Sequence, residues 1–293
     1  MRRLLSNLIP SIGKRWNLTV ATIALAASAA SASPADSITS QALRPVTGFY
    51  NIETGRRCVT DTYLSPLPFS GTEIALSGLW TKALPANPRH LSMTFSSRAA
   101  FASMLNSPKR AREYDFHLKT AWCMEWQERL QRGWTVGIGG GTLAYGGLDY
   151  NTRNGNNPVA AHAMICISAD ASATRTFRIG KLPLLLSERV SVPLAGVFFM
   201  PQYTESYYEI YLGNHSGLTH FGHPANNFSI DNLLSVTLDF GRTALMLGYR
   251  MEYGESYANH LVSRHLSNTF VIGVIPGGIG LRHRRHNTVT PLY

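Results

Sequence analysis

The chain has 293 residues, of which 44% are hydrophobic and 15% charged, with a formal net charge of +10. After the N-terminal leader no run of eighteen consecutive apolar residues occurs, which excludes helical membrane spans, and no long Lys/Arg-rich block suggests a nucleic-acid partner. Cys58, Cys123 and Cys166 cannot all pair within one chain, and their spacing excludes a Cys-x-x-Cys metal or redox motif.

Arg2, Arg3, Lys14 and Arg15 precede an apolar stretch, Trp16 to Ala30, that ends in Ala30-Ser31-Ala32. A basic start, an apolar run too short to span a bilayer and small residues before a cut predict a signal peptide over residues 1–32. Its removal takes away four positive charges and no acid, lowering the charge from +10 to +6 over 261 remaining residues. Residues 33–68 hold Pro34, Pro45, Pro66 and Pro68 and are expected to form a periplasmic lead-in, with room for one strand near Val46 to Ile52.

Strands are then expected over Phe69 to Trp80, Leu91 to Met104, Glu113 to Gln127 and Trp134 to Tyr150. The third is the clearest of these: Tyr114, Phe116, Leu118, Trp122, Met124 and Trp126 alternate with Asp115, His117, Lys119, Glu125 and Gln127. Side chains on a strand point to opposite faces with period two, so this strand has one apolar and one charged face. Cys123 falls on the polar parity and Cys166 opposite Ile165 and Ile167, as small residues lining an interior do. In Trp134 to Tyr150 the parity is expected to change across Gly139-Gly140-Gly141, from Trp134, Val136 and Ile138 to Leu143 and Tyr145, as at a bulge or glycine kink.

Three further strands are expected over Ala160 to Ala171, Thr176 to Leu186 and Arg189 to Phe199. Near the end, Leu234, Val236, Leu238 and Phe240 oppose Ser235, Thr237 and Asp239; after a tight Gly241-Arg242 hairpin, Leu245, Leu247, Tyr249 and Met251 oppose Arg250 and Glu252. Leu266, Phe270, Ile272 and Val274 oppose Ser263, His265, Ser267, Thr269 and Gly273. These segments are longer than ordinary globular strands and match the roughly ten-residue alternating segments of a membrane barrel. The expected fold is therefore all-β, an antiparallel up-and-down outer-membrane-type barrel of about ten strands (eight to twelve) over residues 69–276. Connections Asn106 to Arg112, Asn151 to Val159 and Pro201 to Asp231 would be extracellular loops, and residues 277–293 a basic tail. A soluble β-sandwich is the competing fold, since its strands also alternate, though they are typically shorter.

By this parity the lumen receives Asp115, His117, Lys119, Glu125, Asp239, Arg250, Glu252 and His265. Their balanced charges favour mutual pairing that fills a small barrel, because unpaired charge in a narrow interior is costly. Phe198 to Tyr211 is rich in aromatics and fits an interface girdle, an inward plug or a ligand platform. His215, His220 and His223 could wrap a metal but lie in a glycine-containing loop without a ligand motif, so a solvated loop is the better reading. Gly137 to Gly141 lacks the Lys-Ser/Thr of a phosphate loop.

Arg264-His265-Leu266-Ser267-Asn268 is similar to the catalytic strand of outer-membrane lipid A deacylases and, more loosely, of outer-membrane phospholipases. The resemblance implies Ser267 as nucleophile and His265 as base, with Glu252 or Glu255 orienting the imidazole. Parity points both side chains into the lumen, away from lipid, which favours an interior hydrogen-bonded network. A second resemblance rests on Asp61 to Gly71, Asn154 to Pro158, Gly196 to Pro201 running into Ser206-Tyr207-Tyr208-Glu209-Ile210 and Leu212-Gly213-Asn214, and Leu247 to Arg250. Together these resemble domain of unknown function 3316, a family of secreted, outer-membrane-like proteins of Bacteroidetes. It implies an envelope barrel and transfers no activity. The function expected is thus a non-enzymatic outer-membrane barrel, structural, binding or transport-accessory, touching outer-membrane lipids and lipopolysaccharide and needing no cofactor. The alternatives are a lipid acyl hydrolase and a narrow pore for small solutes.

Overall fold

The computed structural model describes residues 47–276, apart from 156, 204 and 214–216. The expected signal peptide, the first part of the lead-in, the basic tail and His215 lie outside the described residues. Among the described residues there are eleven strands: β1 (Thr47–Asp61), β2 (Phe69–Ala83), β3 (Leu91–Asn106), β4 (Arg112–Arg129), β5 (Trp134–Asn151), β6 (Val159–Ile179), β7 (Leu182–Phe199), β8 (Thr219–Gly222), β9 (Asn227–Asp239), β10 (Thr243–Ala258) and β11 (Leu261–Pro276). All pairings are antiparallel, and β1 joins β11 in the register Tyr50↔Val274 while β6 joins β7, so the sheet closes on itself. Closure removes the two long open edges that a flat sheet would have. Ten strands make the wall; the short β8 pairs only with β7, from Gly196↔Gly222 to Phe199↔Thr219. It covers the upper stretch of β7, above the point where β9 takes over at Ser191↔Asp231.

Three expectations are corrected. The wall begins at Thr47 and not at Phe69, because Thr47–Asp61 is bonded on both sides, to β2 and to β11. The stretch 159–199 holds two strands, not three: Ile179↔Leu182 closes a hairpin at Gly180 and Lys181, and Gly180 has φ 60°. The two errors offset, so the count of about ten stands. Finally, β5 pairs with β4 without interruption through Cys123↔Gly141, Met124↔Gly140 and Glu125↔Gly139, and Leu143 is buried in the lumen. The irregularity lies instead between β6 and β7, where Ile167 pairs with Ala195 and Ser168 with Pro193, leaving Leu194 bulged. Proline cannot donate to a ladder, and a bulge is where a sheet tolerates it.

The chain enters at Thr47 and leaves at Pro276 at the same end of the barrel, where the turns at Gly180-Lys181 and Gly241-Arg242 also lie. The opposite end carries the loops 62–68, 107–111, 152–158 and 200–226. Loop 200–226 contains a short helix, α1 (Tyr207–Tyr211), closed at its start by a Ser206/Glu209 capping box. It lies over the barrel mouth. Tyr63, Leu64, Ala160, Phe198, Met200, Ala258 and Leu261 form one buried cluster there, with Tyr207 packed against it. The Tyr63 hydroxyl donates to the Glu205 carbonyl at 2.8 Å, and the Tyr207 oxygen accepts from the Ala161 amide at 2.5 Å. Burial raises both hydroxyls above the usual tyrosine range. The aromatic segment is therefore split: Phe198 and Tyr207 belong to the cap, while Tyr203, Tyr208 and Tyr211 face outward.

Outside the wall, Ile52, Leu76, Ile138 and Phe270 are between 62% and 72% exposed. On β10 the outward series Leu245, Leu247, Tyr249, Met251, Tyr253 gives way to the ion pair Glu255–Arg264 at 2.9 Å. That is about the nine residues a tilted strand needs to cross hydrocarbon. Aromatic contacts flank the apolar zone, Tyr50, Trp80 and Phe95 toward the terminal end and Phe101 and Tyr114 toward the loops. Inside, the terminal end is filled by Phe49, Leu185, Leu233, Met246, Val271 and Ile275. The polar side chains occupy the layer between this plug and the cap.

Candidate functional site

Period-two alternation carries Glu53 and Arg57 from β1, Glu73 from β2, Arg98 from β3, Asp115, His117 and Lys119 from β4, Asp231 from β9, and Arg250 and Glu252 from β10 into one luminal layer. Arg98 is its hub and is 3% exposed. Its Nε donates to Glu53 Oε2 at 2.9 Å, its Nη2 to Glu73 Oε1 at 3.1 Å, and its Nη1 to Glu252 Oε2 at 3.3 Å and His117 Nε2 at 2.8 Å. A guanidinium only donates, so His117 Nε2 accepts and the ring hydrogen sits on Nδ1, 2.7 Å from Asp115 Oδ1. The second Asp115 oxygen takes Arg57 Nη2 at 2.9 Å. Lys119 Nζ bridges Asp231 at 2.9 Å and Glu252 at 2.7 Å, and Arg250 Nη1 holds both Asp231 oxygens at 3.0 and 2.9 Å. Hydroxyls complete the set: Ser77 donates to Glu53 at 2.6 Å, Thr269 to the same carboxylate at 3.2 Å, and Ser267 to Glu73.

These contacts cross the lumen. Arg98 on β3 and Lys119 on β4 both meet Glu252 on β10, and Arg57 on β1 meets Asp115 on β4. Five carboxylates face four permanent cations and one imidazole, nearly all paired at hydrogen-bond distance, which is the condition under which buried charge is tolerated. The spaces left are small. One cavity of about 60 Å³ lies under the cap, lined by Arg57, Asp115, Tyr145, Asp149, His162 and His265 among others. Another of about 80 Å³ lies nearer the plug, beside Arg98, Lys119, Glu125, Asp170, Arg189 and Arg250. Each holds a few waters at most.

Of the eight expected luminal residues, Asp115, His117, Lys119, Arg250 and Glu252 meet in this network. His265 also faces in and stacks parallel on Tyr145 with ring centroids 6.1 Å apart. Gly254 makes room for it: a Cβ there would sit 2.3 Å from His265 Cε1. Glu125 is buried but belongs to a separate cluster, accepting from Ser172 at 2.9 Å and facing Arg189 at 3.6 Å. Asp239 lies at the terminal end, where its Oδ1 accepts from the Gly241 amide at 2.8 Å and fixes the hairpin turn. Glu53, Arg57, Glu73, Arg98, Tyr145 and Asp231 were not expected, although continuing the parity of Thr94 and Ser96 by one step reaches Arg98.

The hydrolase constellation is not assembled. Ser267 is 1% exposed and gives its hydrogen to Glu73 and not to His265, while the Glu252 oxygens are taken by Arg98 and Lys119, so the expected imidazole base and its orienting carboxylate do not serve the serine. Glu255 points outward to Arg264. Of the histidine loop, the two described members have separate partners: His220 Nε2 lies 3.0 Å from the Met200 carbonyl, whereas His223 Nδ1 accepts from the Ala225 amide at 3.2 Å. Among the described residues the one His/Asp group with metal-ligand spacing is Asp61, Asp149 and His162, near the mouth. All three cysteines are free, Cys123 and Cys166 buried and Cys58 exposed.

A family model described as Protein of unknown function (DUF3316) matches residues 17–285, and the chain belongs to that family. No curated protein matches the chain. Among solved structures, the chain is similar to the β domain of the Bordetella autotransporter BrkA, with 9% identity and a TM-score of 0.41, covering 79% of this chain and 98% of that one. It is also similar to the outer membrane protease OmpT from Escherichia coli, with 6% identity and a TM-score of 0.40 over 78% of this chain and 96% of that one. The transport unit of the Escherichia coli autotransporter AIDA-I matches at 7% identity and a TM-score of 0.40 over 82% and 93%. At these values the likenesses carry no argument about chemistry.

Proposed function

We propose that this member of the family is an outer-membrane barrel of a Bacteroidetes-type envelope whose lumen is a closed scaffold, with a structural, binding or transport-accessory role and no catalysis. The observation that carries this reading is the combination of an apolar, aromatic-flanked outer wall with a luminal layer of cross-braced charges between two apolar plugs. The wall suits hydrocarbon, since soluble monomers rarely expose contiguous apolar patches beyond a few hundred Å². The closed layer disfavours a solute path. Arg56 and Arg112, outward and exposed on the loop side of the apolar zone, suit the phosphates of outer-membrane lipids and lipopolysaccharide.

Two measurements test the proposal. The mature chain, beginning at Ser33, should fractionate with the outer membrane and shift its gel mobility on heating; recovery as a detergent-free periplasmic monomer rejects the membrane part. In planar bilayers the purified protein should give little steady conductance. Large, reproducible single-channel steps would reject the closed scaffold in favour of a pore.

A further inference from the structure

We propose that Asp61, Asp149 and His162 form a binding site for a divalent metal ion at the capped mouth of the barrel. Asp61 is the last residue of β1, Asp149 lies near the end of β5, and His162 near the start of β6, so the site joins opposite walls. One ligand atom from each residue lies within 4.8 Å of the others. His162 Nε2 is 3.0 Å from Asp149 Oδ2 and 3.3 Å from Asp61 Oδ2. In a tetrahedral site with metal–ligand bonds of about 2.0–2.2 Å, neighbouring ligands are about 3.4 Å apart, so these edges need to open by only a few tenths of an ångström.

The charge balance points the same way. One imidazole nitrogen faces two carboxylates, and among the described residues neither Asp61 nor Asp149 has an Arg or Lys ion pair. Asp149 is 2% exposed, and its Oδ1 is sealed from solvent without a hydrogen-bond partner. A buried carboxylate oxygen left in that condition is costly unless a proton or a cation completes it, and a dication satisfies both carboxylates at once. Arg57 lines the adjoining cavity, with its Nη2 engaged by Asp115, its Nη1 3.8 Å from Glu73, and its Nε and Nη1 without hydrogen-bond partners, so it neighbours the site without pairing with Asp61 or Asp149. That cavity, about 60 Å³, has room for a metal-bound water at the fourth position. Two carboxylates and one imidazole suit Zn²⁺ or a similar first-row dication. The ion would also tie the wall to the cap, because Asp61 Oδ1 accepts from the Tyr63 amide at 2.8 Å and Tyr63 reaches Glu205.

The test uses the untagged full chain, folded in detergent, stripped with chelator and titrated with ZnCl₂ by calorimetry, with heat-modifiable gel mobility confirming the fold of every variant. One Zn²⁺ per chain is expected. His162→Ala and Asp149→Asn should each weaken binding at least tenfold, and His220→Ala/His223→Ala should leave it unchanged. X-ray absorption of the wild-type complex should show an oxygen-rich shell with a single imidazole, a result that stands even if one variant fails to fold. No binding by the folded chain, unchanged affinity in folded His162→Ala, or a shell with several imidazoles would overturn the site.

Discussion

Replacing Arg98 with Met removes the centre of the luminal network while keeping most of its volume, and the surviving contacts set the size of the effect. Glu53 retains Ser77 at 2.6 Å and Arg250 at 3.3 Å, and Glu252 retains Lys119 at 2.7 Å. Glu73 fares worst: its remaining partners are the Ser267 hydroxyl and, both at 3.8 Å, Arg57 Nη1 and His117 Nε2. The net damage is thus close to one uncompensated buried carboxylate, which corresponds to a loss of about 3–5 kcal/mol. Urea unfolding in detergent or bilayers, followed through the tryptophans on the outer wall, measures it. Adding Glu73→Gln to Arg98→Met should return part of the loss, because it removes the stranded charge, giving a coupling of about 1–3 kcal/mol. A single-variant cost under about 1 kcal/mol, the range of exposed ion pairs, would refute the buried hub, and strict additivity would refute the link to Glu73.

Leu247 faces outward from the apolar zone, so Leu247→Arg should cost about 2–4 kcal/mol, and a change no larger than that of Tyr211→Arg in the exposed loop would argue against lipid at that position. Ser267→Ala should leave the acylation of envelope lipids unchanged; mass spectra showing a fully acylated lipid only in the mutant would restore the hydrolase. Gly254→Ala forces a methyl against His265, with an expected cost of about 1–3 kcal/mol that the added change His265→Ala largely relieves. If the double variant is no more stable than the single one, the close approach of ring and backbone is not the cause.

Alternation was legible wherever apolar and charged residues strictly took turns. The facing of Asp115, His117, Lys119, Arg250, Glu252 and His265 follows from parity alone, and so does that of the outward Leu247 and Phe270. It failed where small residues dilute the signal. Ser97-Arg98-Ala99-Ala100 has no apolar partner series, and Glu53 and Arg57 sit in a segment whose flanking prolines suggested a lead-in. At Gly139 to Gly141 the glycines carry no side chain to report a facing, and the luminal Leu143 and Tyr145 looked like a switch of parity when they were a continuation of it. Asp149 and His162 sit on the paired strands β5 and β6, but Asp61 comes from the opposite wall, so local spacing could not bring the three together. Which β11 hydroxyl meets which carboxylate of β1 and β2 is likewise set by closure at the seam, and no single strand encodes it.

The cross-lumen bonds also constrain the order in which the wall can assemble. Glu252 lies 154 residues from Arg98 and 133 from Lys119 along the chain, and at the β1–β11 seam Thr269 lies 216 from Glu53. A partial sheet of β1 to β7 holds Arg57, Arg98 and Lys119 without Asp231, Arg250 or Glu252, and its charged face must stay hydrated until β9 to β11 arrive. Long-range pairing of this kind folds slowly, since chain entropy is lost before the contacts that repay it exist. The β1–β11 seam and the braces should therefore form together in one late, cooperative step.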